Sequence, residues 1–317
     1  MKNFTLTHPA DVGGAITAGA QPESAFLAGG TTVIDLWKLG AFEFAQLVDL
    51  NQLQLRGIEA SANGLKLGAL ERMNAVGENP AVKTHYPVVS EALLLSASPQ
   101  IRNMGTMGGN LLQRPRSLTY RNPDPNRHDG PSRFDAIFGI TKQSSAPHPS
   151  DLAVALTALD ASVRIQGKGT TGTPERVMKL SEFYKVPQAD LRFDTLAPGD
   201  LITSVEAKAP FARRSAYIKV RDRASYQFAV VSAAVVLDLD GDTIREARVA
   251  AGGVGTIPWR LPQIEAALKG KAASPETFQA AVADVGTGAV THSHNQFKIE
   301  LLKLTIIRAL IAARSIV

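Results

Sequence analysis

The sequence of 317 residues contains no cysteine. Disulfide bonds, thiolate catalysis, and zinc or iron–sulfur sites with cysteine ligands are therefore excluded within this chain. A basic tract is also missing: the 34 lysines and arginines outnumber the 29 acidic residues, but they are scattered singly or in pairs such as Arg213-Arg214. This distribution argues against a nucleic-acid-binding protein.

Long apolar runs are absent as well. The two most apolar segments, residues 228–237 and 301–317, are too short or are interrupted by charged residues, so neither is expected to span a bilayer. The segment Met1–Pro9 lacks the long apolar run of a secretory signal and predicts a first strand instead. With 44% hydrophobic and 20% charged residues, the composition is typical of a globular protein of two or three domains.

Two familiar nucleotide motifs are missing too, namely the spaced G-x-G-x-x-G and the Gly-Lys-Ser/Thr end of a Walker A loop. The chain has instead a glycine pair in Ala28-Gly29-Gly30-Thr31-Thr32, between a predicted strand and a predicted helix. Glycine lets a phosphate approach the backbone closely, and the amides that open a helix attract an anion. Alone, such a pair is more often a simple tight turn.

A second glycine-rich turn strengthens the case for a phosphate site. The segment Ile101–Asn110 combines three glycines, a threonine, two asparagines and an arginine. Thr106 and Asn110 can donate to phosphate or ring atoms and Arg102 can neutralise charge, which predicts contact with a diphosphate or a flavin. The alternative is a buried turn whose asparagine side chains satisfy themselves.

Hydrophobic periodicity divides the chain into three segments, with predicted boundaries of 1–53, 54–206 and 207–317. The first is an α/β unit, the second is α+β, and the third opens with an antiparallel meander that turns at Asp240-Gly241-Asp242. The predicted strands cover residues 3–6, 25–28, 46–49, 65–68, 163–165, 215–220, 228–238 and 244–251. The predicted helices cover residues 11–18, 32–38, 88–97, 152–159, 278–285 and 295–314.

A long loop and an amphipathic last helix complete this pattern. Residues 114–149 are rich in proline, asparagine, aspartate, serine and arginine, which predicts one loop of the kind that carries a function or lies disordered. The last helix is expected to pack on the meander through Leu301, Leu304, Ile307 and Ile311.

Two further segments are ordinary when taken singly. Ser150-Asp151 precedes the apolar helix 152–159, where capping is the simplest role, and Lys219 lies on a strand that leads to Tyr226-Gln227-Phe228-Ala229. Together and in this order, these segments and the two glycine turns resemble the FAD-binding medium subunit of the molybdenum hydroxylases. That family includes xanthine dehydrogenase, carbon monoxide dehydrogenase and bacterial aldehyde oxidoreductases. The resemblance covers nearly the whole chain.

The resemblance implies an α+β fold: a two-lobed FAD-binding domain of the vanillyl-alcohol-oxidase (PCMH) type, followed by a small C-terminal domain of antiparallel sheet and helices. FAD is expected between the lobes. The resemblance implies that backbone amides hold the FAD diphosphate at Leu27, Ala28, Gly29, Gly30, Thr31, Thr32 and Val33. It also implies that the other side of the cofactor is lined by Ile101, Arg102, Thr106, Gly108, Gly109 and Asn110. Asp151 is expected to bind a polar group of the cofactor and Lys219 to approach the flavin ring, where a cation favours the anionic reduced flavin.

A relay function follows from the same resemblance, with no catalytic acid or base in this chain. The substrate, expected to be an aldehyde, is oxidised at a molybdopterin centre on a large subunit. Electrons then pass through two [2Fe-2S] clusters on a small subunit to this FAD, and on to NAD, a quinone, a small redox protein or oxygen. A stand-alone flavoprotein oxidase or reductase and a flavin-free assembly scaffold are the alternatives. A cytoplasmic location is expected, with co-export to the periplasm alongside a partner subunit as the alternative.

The sequence departs from the family pattern in the loop 114–149. This loop resembles the insertion that binds an additional [4Fe-4S] cluster through cysteines in the flavin subunits of periplasmic-type aldehyde oxidoreductases. Ser117, Ser144 and Ser145 stand near the expected thiolate positions, and a serine hydroxyl is a poor ligand for iron. We therefore expect neither a [4Fe-4S] cluster nor another metal in this chain.

Overall fold

The computed structural model describes residues 3–122, 124, 129–167, 175–208 and 211–316. Its strands are β1 (Thr5–Thr7), β2 (Ser24–Leu27), β3 (Gln46–Asp49), β4 (Ile58–Ser61), β5 (Gly64–Gly68), β6 (Ser162–Gln166), β7 (Glu175–Lys179), β8 (Leu201–Ala207), β9 (Ser215–Val220), β10 (Val231–Asp240), β11 (Thr243–Gly252) and β12 (Trp259–Arg260). Its helices are α1 (Val12–Gly19), α2 (Val33–Lys38), α3 (Met73–Glu78), α4 (Pro80–His85), α5 (Pro87–Leu94), α6 (Pro99–Met104), α7 (Met107–Leu111), α8 (Leu118–Arg121), α9 (Asp151–Ala158), α10 (Leu180–Phe183), α11 (Pro262–Leu268), α12 (Pro275–Ala281) and α13 (Lys298–Arg314).

A small parallel sheet in the order β1-β3-β2 forms what we call the first lobe. A three-stranded sheet buries little apolar surface, so it needs additional packing to be stable. Aromatic side chains supply this packing: the rings of Phe4 and Trp37 meet edge to face at 5.1 Å, and Phe44 stacks on Trp37 at 5.7 Å. Helix α2, which carries Trp37, is thereby held against the sheet.

The second lobe and the C-terminal segment share one apolar core. An antiparallel sheet in the order β4-β5-β8-β6-β7 belongs to the second lobe, and a sheet in the order β12-β11-β10-β9 belongs to the C-terminal segment. Helix α9 is buried along its whole length and contacts both β10 and β11. Tyr217, Ala234 and Val236 of the C-terminal sheet lie in the same hydrophobic cluster as α9. This common core fixes the C-terminal sheet against the second lobe.

The mixture of helix and sheet agrees with the predicted α+β class, and the meander β9-β10-β11 pairs antiparallel as expected. The predicted domain boundaries at 53 and 206 stay a prediction. Helix α8 interrupts the segment predicted as one long loop, and residues 123 and 125–128 of that loop lie outside the described residues. Within the described part of the chain, no helix is both long and apolar enough to cross a membrane.

The predicted packing of α13 on the meander is confirmed, but its buried face was predicted only in part. Leu301 and Ile307 are half-buried against the core, and Leu302, Ile306 and Leu310 are fully buried, whereas Leu304 is 59% exposed and Ile311 is 43% exposed. Apolar residues occur on both sides of this helix, so periodicity alone did not identify the buried side. Packing of α13 against β9 and β10 determines which of its sides is buried.

The long loop is attached to the C-terminal segment by a buried cation. The ammonium group of Lys298 donates to the carbonyl oxygens of Phe134, Asp135 and Gly253 at 3.0, 2.8 and 2.7 Å. Burial lowers the pKa of Lys298 to about 7, although the nearby Asp135 charge opposes this shift. Three carbonyl acceptors from two separate segments thus converge on one side chain of α13.

A buried imidazole lies at the end of the same loop. His148 packs edge to face on Tyr184 at 4.9 Å and on Phe193 at 5.0 Å. Burial lowers the pKa of His148 to about 3, although a hydrogen bond with the backbone of Leu111 opposes this shift. The side chain is therefore neutral at physiological pH, and its role is packing.

This burial predicts an acid-sensitive fold. Between about pH 3 and pH 6.5 the unfolded chain binds a proton at His148 that the folded chain does not, so stability falls as the pH falls through this range. From pH 7 to pH 5 we expect a loss of about 2 kcal/mol from this residue. Denaturant unfolding at both pH values measures the loss, and His148→Phe provides the non-titrating control. An equal loss in that variant would contradict the assignment.

Candidate functional site

A cavity of about 1190 Å³ lies where the first lobe, the second lobe and the C-terminal segment meet. Its walls include the first glycine turn with α2, the second glycine turn, part of the loop 114–149, and residues 226–228 between β9 and β10. Pockets for ordinary small molecules occupy roughly 300–1000 Å³. This cavity is therefore suited to a large, extended ligand.

The first glycine turn presents bare backbone to the cavity. Within the described residues, the amide groups of Gly29 to Val33 donate to no backbone carbonyl, and all of these residues line the cavity. Gly30 has a φ of +73°, which residues with a side chain rarely adopt. A run of free amides at such a turn is a cradle for an anion such as a phosphate.

The second glycine turn is held in shape by side-chain hydrogen bonds. Thr106 caps α7, since its hydroxyl accepts from the Gly109 amide at 3.3 Å. Ser150, the cap of α9, donates through its hydroxyl to Oδ1 of Asn110 at 2.5 Å. Thr106, Gly108, Gly109 and Asn110 all line the cavity. The two caps therefore fix how this turn faces the cavity.

The two glycine turns touch each other at Gly29. A Cβ atom at this position would lie 2.0 Å from the carbonyl oxygen of Met104, so only glycine fits. Arg72 ties the turns together by donating to the Met104 carbonyl and, at 3.1 Å, to Oδ1 of Asn51. Asn51 in turn donates to the carbonyl of Ala28 at 2.9 Å. Sequence reasoning missed Arg72 and Asn51 because neither belongs to a recognisable motif.

Asp151 enters the cavity wall from the first turn of α9. Tyr217 donates to its Oδ1 at 2.6 Å and Lys219 to its Oδ2 at 2.7 Å, so both oxygens of this buried carboxylate are engaged. Lys219 also donates to the Leu95 carbonyl at 3.2 Å. Burial and then the adjacent Asp151 charge raise the pKa of Tyr217 well above its ordinary value, which keeps the phenol protonated as a donor. Sequence reasoning missed Tyr217.

The structure places most of the predicted site residues on one cavity. Those that line it are Ala28, Gly29, Gly30, Thr31, Thr32, Val33, Ile101, Thr106, Gly108, Gly109, Asn110 and Asp151. Leu27, Arg102 and Lys219 are not among the lining residues. The guanidinium of Arg102 donates to the Ser96 carbonyl at 2.9 Å, and the side chain of Lys219 is 1% exposed and pairs with Asp151. The contact of each residue with a cofactor stays a prediction.

A family model described as the FAD binding domain in molybdopterin dehydrogenase matches residues 2–207. The chain belongs to this family. A second model, the CO dehydrogenase flavoprotein C-terminal domain, matches residues 215–313. The free amides at residues 29–33 fit the diphosphate of FAD. The resemblance seen in the sequence is thereby confirmed.

Several relatives in this FAD-binding family align with most of the chain. The aldehyde oxidoreductase FAD-binding subunit PaoB of Escherichia coli (strain K12) is 38% identical over 99% of both chains. The glyceraldehyde dehydrogenase medium chain of Sulfolobus acidocaldarius is 30% identical over 77% of this chain and 73% of its own length. A solved Cu,Mo-CO dehydrogenase chain, 22% identical, superposes with a TM-score of 0.78 over 100% of this chain and 99% of its own. The predicted fold class and the assignment to FAD subunits of oxidoreductases are confirmed.

Potential metal ligands are not clustered in the described part of this FAD-binding chain. Because cysteine is absent from the whole sequence, the loop 114–149 supplies no thiolate to a [4Fe-4S] cluster. Among the described residues, no group of at least three His, Asp or Glu side chains is placed to hold a metal ion.

Substitution of the turn glycines should weaken FAD binding. Gly30→Val adds strain at a φ of +73° and places its Cβ 3.3 Å from Cγ1 of Ile34, so the turn that carries the free amides should shift and the affinity for FAD should fall roughly tenfold or more. Gly109→Val should act similarly, because a Cβ there would lie 2.9 Å from the Thr106 hydroxyl oxygen. Flavin absorbance per chain after desalting measures retention.

The matched control is Gly270→Val, at a φ of +74° with no atom within 4 Å of an added Cβ. This variant carries comparable backbone strain away from the cavity. Equal FAD retention in all three variants would contradict the proposed site.

Removal of the buried cation should destabilise the chain. Lys219→Met leaves the Asp151 carboxylate buried with only Tyr217 as a partner, which should cost about 3–5 kcal/mol. The double variant Asp151→Asn/Lys219→Met should recover part of this loss because no buried charge is left. Denaturant unfolding of both variants measures stability, and the flavin reduction potential of the loaded chains should shift if the pair lies near the ring. No recovery in the double variant would show that the pair is not electrostatically coupled.

Proposed function

We propose that this chain is the electron-transfer subunit of a molybdenum-dependent hydroxylase that oxidises aldehydes. It receives electrons from [2Fe-2S] clusters of a small subunit, while a large subunit holds the molybdopterin centre. The family match and the similarity to PaoB support the assignment as an FAD subunit, and the aldehyde oxidoreductase and glyceraldehyde dehydrogenase names of two relatives favour an aldehyde substrate. The domains we propose are 1–53 and 54–206 for the two lobes, and 207–317 for the C-terminal domain.

The observation that carries the proposal is the run of free amides at residues 29–33, which shares a cavity with the second glycine turn. We assign the FAD diphosphate to these amides and the ribityl chain to Thr106, Gly109 and Asn110. FAD, once bound, supplies the redox chemistry. The task of the chain is then to bind the cofactor, orient it and exclude water.

A relay is favoured over a stand-alone oxidase by the state of Asp151. An oxidase needs a side chain near the flavin that can accept or donate a proton. Asp151 lines the cavity, but Tyr217 and Lys219 occupy both of its oxygens at 2.6 and 2.7 Å. A carboxylate held in this way is suited to positioning rather than to proton transfer. From the flavin, the electrons pass to an external acceptor, which is NAD, a quinone, a small redox protein or oxygen.

The test compares the chain alone with the assembled complex. Purified alone, the chain should carry equimolar FAD that dithionite reduces and that aliphatic or aromatic aldehydes do not. Co-purified with its large and small partners, the same flavin should bleach when an aldehyde is added. Bleaching of the isolated chain by an aldehyde would establish a stand-alone enzyme instead. A colourless chain that still assembles the partners would establish a scaffold.

A further inference from the structure

Residues 113–122, which include α8 and the start of the loop 114–149, connect the walls of the cavity. We call this segment the strap. Cavity-lining residues of the strap are Gln113, Arg114, Arg116, Thr119, Tyr120 and Asn122. The strap belongs to neither glycine turn, and the arginines in it have no part in the site described above.

The strap is fastened to the first lobe at two points. Arg116 and Arg121 both pair with Oδ2 of Asp35, Arg116 at 3.0 Å. The guanidinium of Arg114 lies 4.8 Å from the centre of the Phe42 ring. Asp35 is on α2, the helix that follows the free amides of the first turn. Any outward movement of the strap from α2 must therefore break these contacts.

The strap also reaches the C-terminal segment. The guanidinium of Arg116 lies 5.1 Å from the centre of the Phe228 ring. Phe228 itself lines the cavity from the connection between β9 and β10. Arg116 thus contacts Asp35 of the first lobe and Phe228 of the C-terminal segment at once, and it joins two walls of the cavity.

Asp35 is an ionised carboxylate that pairs with two arginines of the strap. Burial raises the pKa of Asp35, but Arg121 and Arg116 together hold it below its usual value, so the carboxylate is ionised at neutral pH. The side chains of Asp35 and Arg116 are 42% and 40% exposed, whereas that of Arg121 is 10% exposed and also donates to the Pro115 carbonyl at 3.2 Å. An ion pair as exposed as Asp35–Arg116 adds little to folding stability and is screened by salt.

We propose that the strap is a latch that retains the cofactor, with Asp35 as the positioning residue that holds it closed. This inference rests on the proposed function, in that FAD occupies the cavity. A closed latch keeps the first lobe and the Phe228 segment together around the ligand. Opening it separates the walls and lets FAD leave, so Asp35 controls the rate of FAD dissociation more than the stability of the fold.

The test is the rate of FAD release from the loaded full-length chain, followed by the rise in flavin fluorescence after dilution. Asp35→Asn should speed release on the order of tenfold, because the carboxylate that pairs with both arginines is lost. Release from the unchanged chain should accelerate with added salt, and the salt effect should be smaller in Asp35→Asn. Asp35→Glu, which keeps the charge, should restore slow release.

Glu300→Gln is the matched control, since it removes an exposed carboxylate that pairs with Lys303 at 2.8 Å on α13, outside the cavity lining. Asp35→Asn combined with Arg121→Gln should release FAD no faster than Asp35→Asn alone, because the ion pair between Arg121 and Asp35 is already lost in the single variant. The melting temperature of the FAD-free chain should fall in Asp35→Asn by no more than about 4 °C, because only ion pairs at the surface of the cavity are lost.

The outcomes separate the latch from the proposed function. Unchanged release in Asp35→Asn, an equal acceleration in Glu300→Gln, or a melting temperature of the FAD-free Asp35→Asn chain lowered by more than about 4 °C overturns the latch. An unchanged chain that binds no FAD overturns the proposed function itself.

Discussion

The contact between Gly29 and the Met104 carbonyl is the constraint on which the site depends. With hydrogen as its side chain, Gly29 lets a turn of the first lobe touch a turn of the second, where a Cβ would lie 2.0 Å from an oxygen. Arg72 and Asn51 then bridge the two turns with hydrogen bonds. As a result, the free amides after Gly29 and the capped turn at Thr106 face one cavity. A side chain at position 29 would force the lobes apart.

A second fixed point joins the second lobe to the C-terminal segment. Asp151 on α9 is held by Tyr217 and Lys219 of β9, and the surrounding apolar core includes residues of both parts. A buried ion pair is costly to desolvate, so its hydrogen bonds set orientation more than they add stability. Together with the glycine contact, it fixes how the second lobe meets the first lobe and the C-terminal segment. Fixed contacts of this kind suit a subunit that positions a redox cofactor, while the strap is the part that we propose to open.

The parts of the site that could be predicted from the sequence were local. The glycine turns and the Ser150 cap depend on neighbouring residues, and their positions lie on or beside the cavity as expected. Arg72, by contrast, acts on Met104, which is 32 positions away, and Lys219 meets Asp151 across 68 positions. No local pattern reports such pairs. The buried face of α13 was predicted only in part, because its apolar residues occur on two sides.

The sequence by itself determined where the backbone is bare at Gly29, Gly30 and Gly109, and the absence of cysteine that leaves the loop 114–149 without thiolates. These properties belong to single residues and need no partner. Only the tertiary structure determined that Lys219 forms an ion pair with Asp151 and that Asp35 forms ion pairs with two arginines of the strap. Ion pairs and burial depend on side chains that the fold brings together from distant segments, whereas backbone freedom depends on the residue itself.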